Sequence, residues 1–240
     1  MLSIREKFKF LEDGVDFPFY NDIPKLSTVE WLILLAPVII ILVLLSVPSF
    51  KSDYLPYVFG IVTLIPALYV CKGNYGLLFK KPRLRDIKTI ILCLIGYYVY
   101  SFGMAIILTH LLGYPVTADA VIGKFDSPSV FLVVGMIMQL IGEELFKIFM
   151  LLIGMYVIYK ITKNRGLAIG LALIVSMSIF GLAHSRAYNG RLLQVLLIQG
   201  FGAFFNLYAY MKTKNVIVSY IIHLFIDFIP FTLVVIHNMG

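Results

Sequence analysis

The residues with most chemistry to offer gather in IGEELFKIF, Ile141–Phe149, where Glu143, Glu144 and Lys147 sit within an otherwise apolar run. Each charge at the centre of a membrane helix costs about 2.5–3.5 kcal/mol. Three of them cancel roughly what the Leu, Ile, Phe and Val of the same segment return on insertion. Glu143 and Lys147 are four apart with the acid first, the spacing and order of a favourable pair on one helix face. Gln139 continues that stripe one turn earlier. A buried ion pair that only locks helices together is a poor stabiliser, because an apolar replacement often does as well. Ionisable groups inside a membrane mark function by default.

Two later segments supply partners. FGLAHS places Phe180 and His184 four apart, and HLFID does the same for His223 and Asp227. Asp227 is spaced to hold the His223 ring and fix its tautomer. A carboxylate facing a histidine activates a water toward a carbonyl, and a second imidazole stabilises the oxyanion that develops. Together these groups describe amide or ester cleavage in a water-accessible pocket. Two histidines with carboxylates would also serve zinc. The chain lacks HExxH, so no cofactor is assigned and zinc stays the rival. Ser176 and Ser178 have no visible base. Gln199 and Asn206, seven apart, share a face and read as inter-helix hydrogen-bonding residues, with a pocket-lining role as the alternative. His110 and His237 fall near span ends and carry no assignment.

The elements that must position these residues are membrane helices. Hydrophobic residues make up 60% of the chain and charged residues 14%, and apolar stretches of roughly 18 or more recur. The fold class is all-α: a polytopic membrane protein of about 7–8 transmembrane helices with a Glu/His site buried among the core helices. A transmembrane barrel would show shorter alternating segments. Spans are expected near 29–48, 54–71, 87–112, 128–160, 166–184, 191–211 and 216–237. The fourth would reach ~50 Å, so it tilts, kinks or projects. Residues 1–28 lack the pattern of a cleavable signal; they read as an interfacial segment ahead of a transmembrane domain, 29–240. Gly166 and Gly170 form a GxxxG, a weak mark of close helix packing. Cys71 and Cys93 give no disulfide framework or metal spacing.

Charge sets the orientation. Arg5, Lys7, Lys9 and Lys25 precede the first span. Lys72, Lys80, Lys81, Arg83, Arg85 and Lys88 lie between the second and third. Lys160, Lys163 and Arg165 follow the fourth, and Lys212 and Lys214 the sixth. The alternate loops hold Lys51, Lys124, Arg186 and Arg191. Positive charge inside puts the N-terminus in the cytoplasm and the C-terminus outside. The net charge of +7 is thus a membrane signature, and no soluble basic face exists for nucleic acid. Measured along the helices, Glu143 and His184 match in height at ~25 and ~28 Å from the cytoplasmic side. His223, at ~12 Å, is level with them only if its helix tilts or starts higher.

Three motifs in this order, Glu143 and Glu144, Phe180 and His184, then His223 and Asp227, resemble the CAAX protease and bacteriocin-processing family, also called Abi. Its pattern is EExxxR, FxxxH and HxxxN or HxxxD on successive core helices, and the resemblance covers roughly 128–237. It implies an intramembrane glutamic endopeptidase in which Glu143 and His184 position a water and His223 and Asp227 form the oxyanion site. Ile148 stands where the family arginine would fall. The nearby base, Lys147, lies four beyond the first acid, which makes Glu143 its expected partner. The resemblance also admits N-acylation of lipoproteins and a non-catalytic bacteriocin self-immunity or partner role. The expected partners are membrane lipids, a membrane-anchored peptide or lipoprotein substrate, and a second protein subunit, with no nucleic acid. The implied setting is a bacterial plasma membrane, with the site opening toward the extracytoplasmic half.

Overall fold

The computed structural model describes residues 10, 15–47, 53–117 and 129–239, with side chains through Pro230 and at Thr232. Lys51, Lys124 and the first nine residues lie outside the described residues, as does the His237 side chain. Among the described residues seven helices follow the apolar segments: α1 Thr28–Ser46, α2 Leu55–Val70, α3 Leu84–Leu111, α4 Val130–Thr162, α5 Arg165–Ala183, α6 Leu192–Thr213 and α7 Val216–Met239. The described residues contain no strand. Five helices, α1, α3, α4, α5 and α6, are long and apolar enough to cross a membrane. α2 and the Val216–Pro230 part of α7 are apolar but shorter. The chain is an integral membrane protein.

Helix starts are written locally. Ser27 caps α1, accepting from Glu30 N, and Glu30 returns a bond to Ser27 N at 2.7 Å, the reciprocal capping box. Glu30 also pairs with Lys72 at 2.6 Å, tying the start of α1 to the end of α2. Ser129 caps α4 and Asn164 caps α5. We call the end where α1, α3, α5 and α7 begin the basal end.

α4 is the axis of the bundle. Its 33 residues run as one unbroken helix, so the long fourth span projects and does not kink. The antiparallel α5 has only 19 residues and ends level with Glu143. The first turns of α4 continue past it, flanked by α2 and α7. Here the backbones of α2 and α4 nearly touch: a Cβ on Gly142 would lie 2.7 Å from the Phe59 carbonyl, and one on Gly60 2.6 Å from Met138 O. α5 and α6 cross as closely at Gly181 and Gly200, where a Gly200 Cβ would lie 2.7 Å from Met177 O. The widened π turn Val195–Gly200 of α6 forms this crossing. The expected GxxxG does not work this way, since a Cβ on Gly170 would meet nothing.

The basal end shows why His223 reaches the height of Glu143. The turn between α6 and α7 is buried: Tyr210, Met211, Lys214, Asn215 and Val216 are all under 3% exposed. Val216 N donates to Leu78 O, and the Asn215 side chain bonds both Lys80 N and Lys80 O. α7 therefore starts inside the protein, above a floor made by the α2–α3 connection and the N-terminal segment. Lys214, counted from sequence as a loop cation, is buried in that floor. Its Nζ donates to Phe10 O at 2.5 Å and to Met211 O, and sits 4.2 Å over the Phe17 ring.

α7 carries Pro230, which leaves the Ile226 carbonyl without its helical donor. Tyr98 of α3 fills the gap, its hydroxyl donating to Ile226 O at 3.1 Å and Phe225 O at 3.2 Å.

Candidate active site

Glu143 and Glu144 are adjacent on α4 but face different partners. Glu143 accepts from Gln139 Nε2 at 2.7 Å through Oε1. Its Oε2 lies 3.7 Å from His184 Nε2 and 3.8 Å from His223 Nε2. Glu144 is fully buried, and its Oε2 is 2.9 Å from Lys147 Nζ, 3.1 Å from His223 Nδ1 and 3.4 Å from Asn206 Nδ2. Its Oε1 accepts from Ser219 Oγ.

Each histidine is oriented from behind. His184 caps the end of α5, and its Nδ1 sits 2.8 Å from Phe180 O. A carbonyl only accepts, so that nitrogen carries a proton and Nε2 is left facing Glu143. His223 sits on α7 between the two acids, Nδ1 toward Glu144 and Nε2 toward Glu143. Phe180 packs edge-on against both rings, with centroids 4.6 Å from His184 and 6.4 Å from His223. Its face holds the Lys147 ammonium at 4.5 Å, a cation–π contact in a dry interior.

Exposure grades across the cluster. Side-chain exposure falls from 38% at Asp227 and 21% at His184 to 10% at Glu143 and zero at Glu144 and Lys147. The cleft thus opens past Asp227 and His184 and closes on the Glu144–Lys147 pair.

Two expectations are corrected here. Lys147 pairs with Glu144 and not with Glu143: at three residues' spacing its ammonium reaches the second acid, while Gln139 occupies the first. Asp227 is not the group that holds the His223 ring. It stands 3.8 Å from Nε2 on the cleft side, whereas Glu144 lies 3.1 Å from Nδ1, an ion-pair distance without hydrogen-bond alignment. Asn206 does join helices, reaching Glu144 from α6. Among the described residues Gln199 hydrogen-bonds neither acid, and its Oε1 is buried without a hydrogen-bond partner. Ser176 donates to Lys147 O across the α4–α5 interface at 2.8 Å, a packing role. His110 is exposed at the end of α3. Among the described residues no group of three His, Cys, Asp or Glu is arranged to hold a metal ion.

The residue that motif reading missed is Ser219. Ser219, His223 and Asp227 recur every four residues, so one polar stripe on an apolar helix signals all three.

An all-α integral membrane protein with two acids and two histidines converging from three helices is the class that fold and site define. Residues 125–229, from just before α4 to near the end of the described side chains of α7, match the family of type II CAAX prenyl endopeptidase Rce1-like proteins. This agrees with the family resemblance read from the three motifs. No curated protein and no solved structure shows a significant match.

Proposed function

We propose that this protein is an intramembrane hydrolase that cleaves an amide or ester bond of a membrane-embedded peptide or lipoprotein. The observation that carries this reading is the convergence of one Glu143 oxygen with both Nε2 atoms, at 3.7 and 3.8 Å. These gaps are too long for direct hydrogen bonds and suit a water shared between carboxylate and imidazole. His184 Nε2 accepts one proton of that water in a hydrogen bond. Glu143 Oε2 removes the other as the water oxygen attacks the substrate carbonyl carbon. The carbonyl electron pair moves to oxygen, and His223, with a proton on each ring nitrogen between the two carboxylates, stabilises that oxyanion through its Nε2–H, with Asp227 beside the same nitrogen. Collapse of the intermediate expels the amine or alcohol, which takes its proton from Glu143. Lys147 offsets the buried charge of Glu144 throughout. The family match supports peptide hydrolysis, and none of these steps uses a cofactor.

On this reading the cleft opens toward the extracytoplasmic side of a bacterial plasma membrane with the N-terminus in the cytoplasm, an orientation that loop charge supports. That opening favours a second reading on the same site: N-acylation of a lipoprotein, with an amine replacing water as nucleophile. The test uses wild type, Glu143→Gln and His184→Ala in right-side-out vesicles, with a diacylated lipoprotein or a membrane-peptide pool added outside. Mass spectrometry reads the products. A Glu143-dependent mass loss means cleavage and a mass gain means acyl transfer, with either variant slowing the reaction by about 10²–10⁴-fold. No mass change with folded protein moves the function to a non-catalytic immunity or partner role. Product only after substrate reaches the vesicle interior reverses the orientation.

A further inference from the structure

Ser219 is fully buried on α7, one turn before His223. Its hydroxyl reaches two acceptors: Glu144 Oε1, and the Asn206 carbonyl of α6 at 2.7 Å. Glu144, with no exposed side-chain surface, keeps its orientation only through such partners, because no bulk water can replace them. Among the described residues Ser219 is the donor to Oε1, while Lys147, Asn206 and His223 crowd Oε2. His223 Nδ1 lies 3.1 Å from Glu144 Oε2 without the alignment of a hydrogen bond, and a proton on Nδ1 makes that close contact attractive where a bare nitrogen would be repelled. Nε2 is thereby turned toward Glu143.

We infer that Ser219 is a positioning residue that acts on His223 through Glu144. Its hydroxyl pins Oε1, which keeps Oε2 beside Nδ1 and presents Nε2 to the cleft. Without it, Oε1 becomes a buried acceptor with no donor. The carboxylate then turns toward Lys147 and Asn206, and the ring loses its backing. A purely structural Ser219 would only join α6 to α7 through Asn206 O. The kinetic consequence rests on the hydrolase reading; the ring orientation does not.

The test uses the full chain in detergent with ¹⁵N-labelled histidine, the His223 signals being assigned through His223→Gln. Wild type is expected to show a His223 Nδ1–H sheltered from exchange with water. Ser219→Ala loses it, and Ser219→Thr, which keeps the hydroxyl, retains it. In turnover, Ser219→Ala lowers kcat by about tenfold or more, as loss of an orienting partner commonly does, with KM unchanged, and Ser219→Thr restores kcat. Ser219→Cys, similar in size but a weak donor, replaces the alanine variant if that fails to fold. A sheltered Nδ1–H that survives Ser219→Ala or Ser219→Cys overturns the inference, as does a loss that Ser219→Thr does not restore. If the ring signal responds as expected while wild type turns nothing over, the positioning role stands and the hydrolase reading falls.

Discussion

Lys147 stands one residue before the arginine position of the family pattern, and its ammonium reaches the second acid, not the first. On a helix, positions three and four residues back lie ~60° and ~40° to either side of a side chain. Spacing alone therefore offered Glu144 and Glu143 almost equally. The choice falls to what else each acid touches, and Gln139 and Phe180 are the residues that decide it. The consequence is that Glu143 keeps an oxygen for the cleft while Glu144 carries the ion pair. Lys147→Met leaves buried Glu144 without its lysine counter-charge, at a cost of up to about 3–5 kcal/mol, read as a lower unfolding midpoint in detergent. Adding Glu144→Gln to the same chain recovers most of that loss, because an amide needs no counter-charge. Equal stability of Lys147→Met and wild type would show that the pair carries no weight. The residue types of the site were legible because charges and histidines stand out in apolar helices. Their pairing was not, since it depends on rotamers and on neighbours from α5, α6 and α7.

Among the elements, the helices were legible to within a few residues, because length and apolarity alone mark a segment that can cross a bilayer. How closely they approach was not, because a glycine reads the same whether or not a partner lies over it. Gly170, in a recognised motif, meets nothing, while Gly142, in none, lies against the α2 backbone. A Cβ there meets the carbonyl carbon and oxygen of Phe59 at 2.7 Å and Gly60 N at 2.9 Å. No rotamer can relieve a clash with backbone, so Gly142→Ala must push α2 from α4. Overpacking of this kind costs about 1–3 kcal/mol, and it displaces the residue next to Glu143. Gly142→Ala is expected to lower both the unfolding midpoint and Glu143-dependent turnover, whereas Gly170→Ala changes neither. Wild-type turnover in Gly142→Ala would mean that α2 does not set the position of Glu143.

At the scale of the whole molecule, the two ends of the chain's fold are built differently. The cleft opens at the distal end, while the basal end is packed shut by residues 15–28, in which Phe17, Phe19, Tyr20 and Leu26 are buried. This floor supports the raised start of α7, a long-range arrangement that no local pattern in the sequence announces. It is strapped to the α4–α5 turn by charge: Asp22 pairs with Lys160 at 3.1 Å, and Asp16 with Arg165 at 2.6 Å. Asp16 also accepts from Tyr20 Oη at 2.7 Å and Phe17 N at 2.8 Å. Burial alone would raise the Asp16 carboxyl. The bonds from Arg165, Tyr20 and Phe17 outweigh it and hold the group below its ordinary value. A carboxyl lowered by folding adds stability above its unfolded value, and that stability is lost as pH falls through the folded one. Asp16→Asn is therefore less stable than wild type at neutral pH, and the gap narrows as the pH drops below about 4. Unfolding midpoints of both proteins, measured at neutral pH and again under acid conditions, test this. A gap of constant size across that range would mean that Asp16 holds the floor by shape and not by charge.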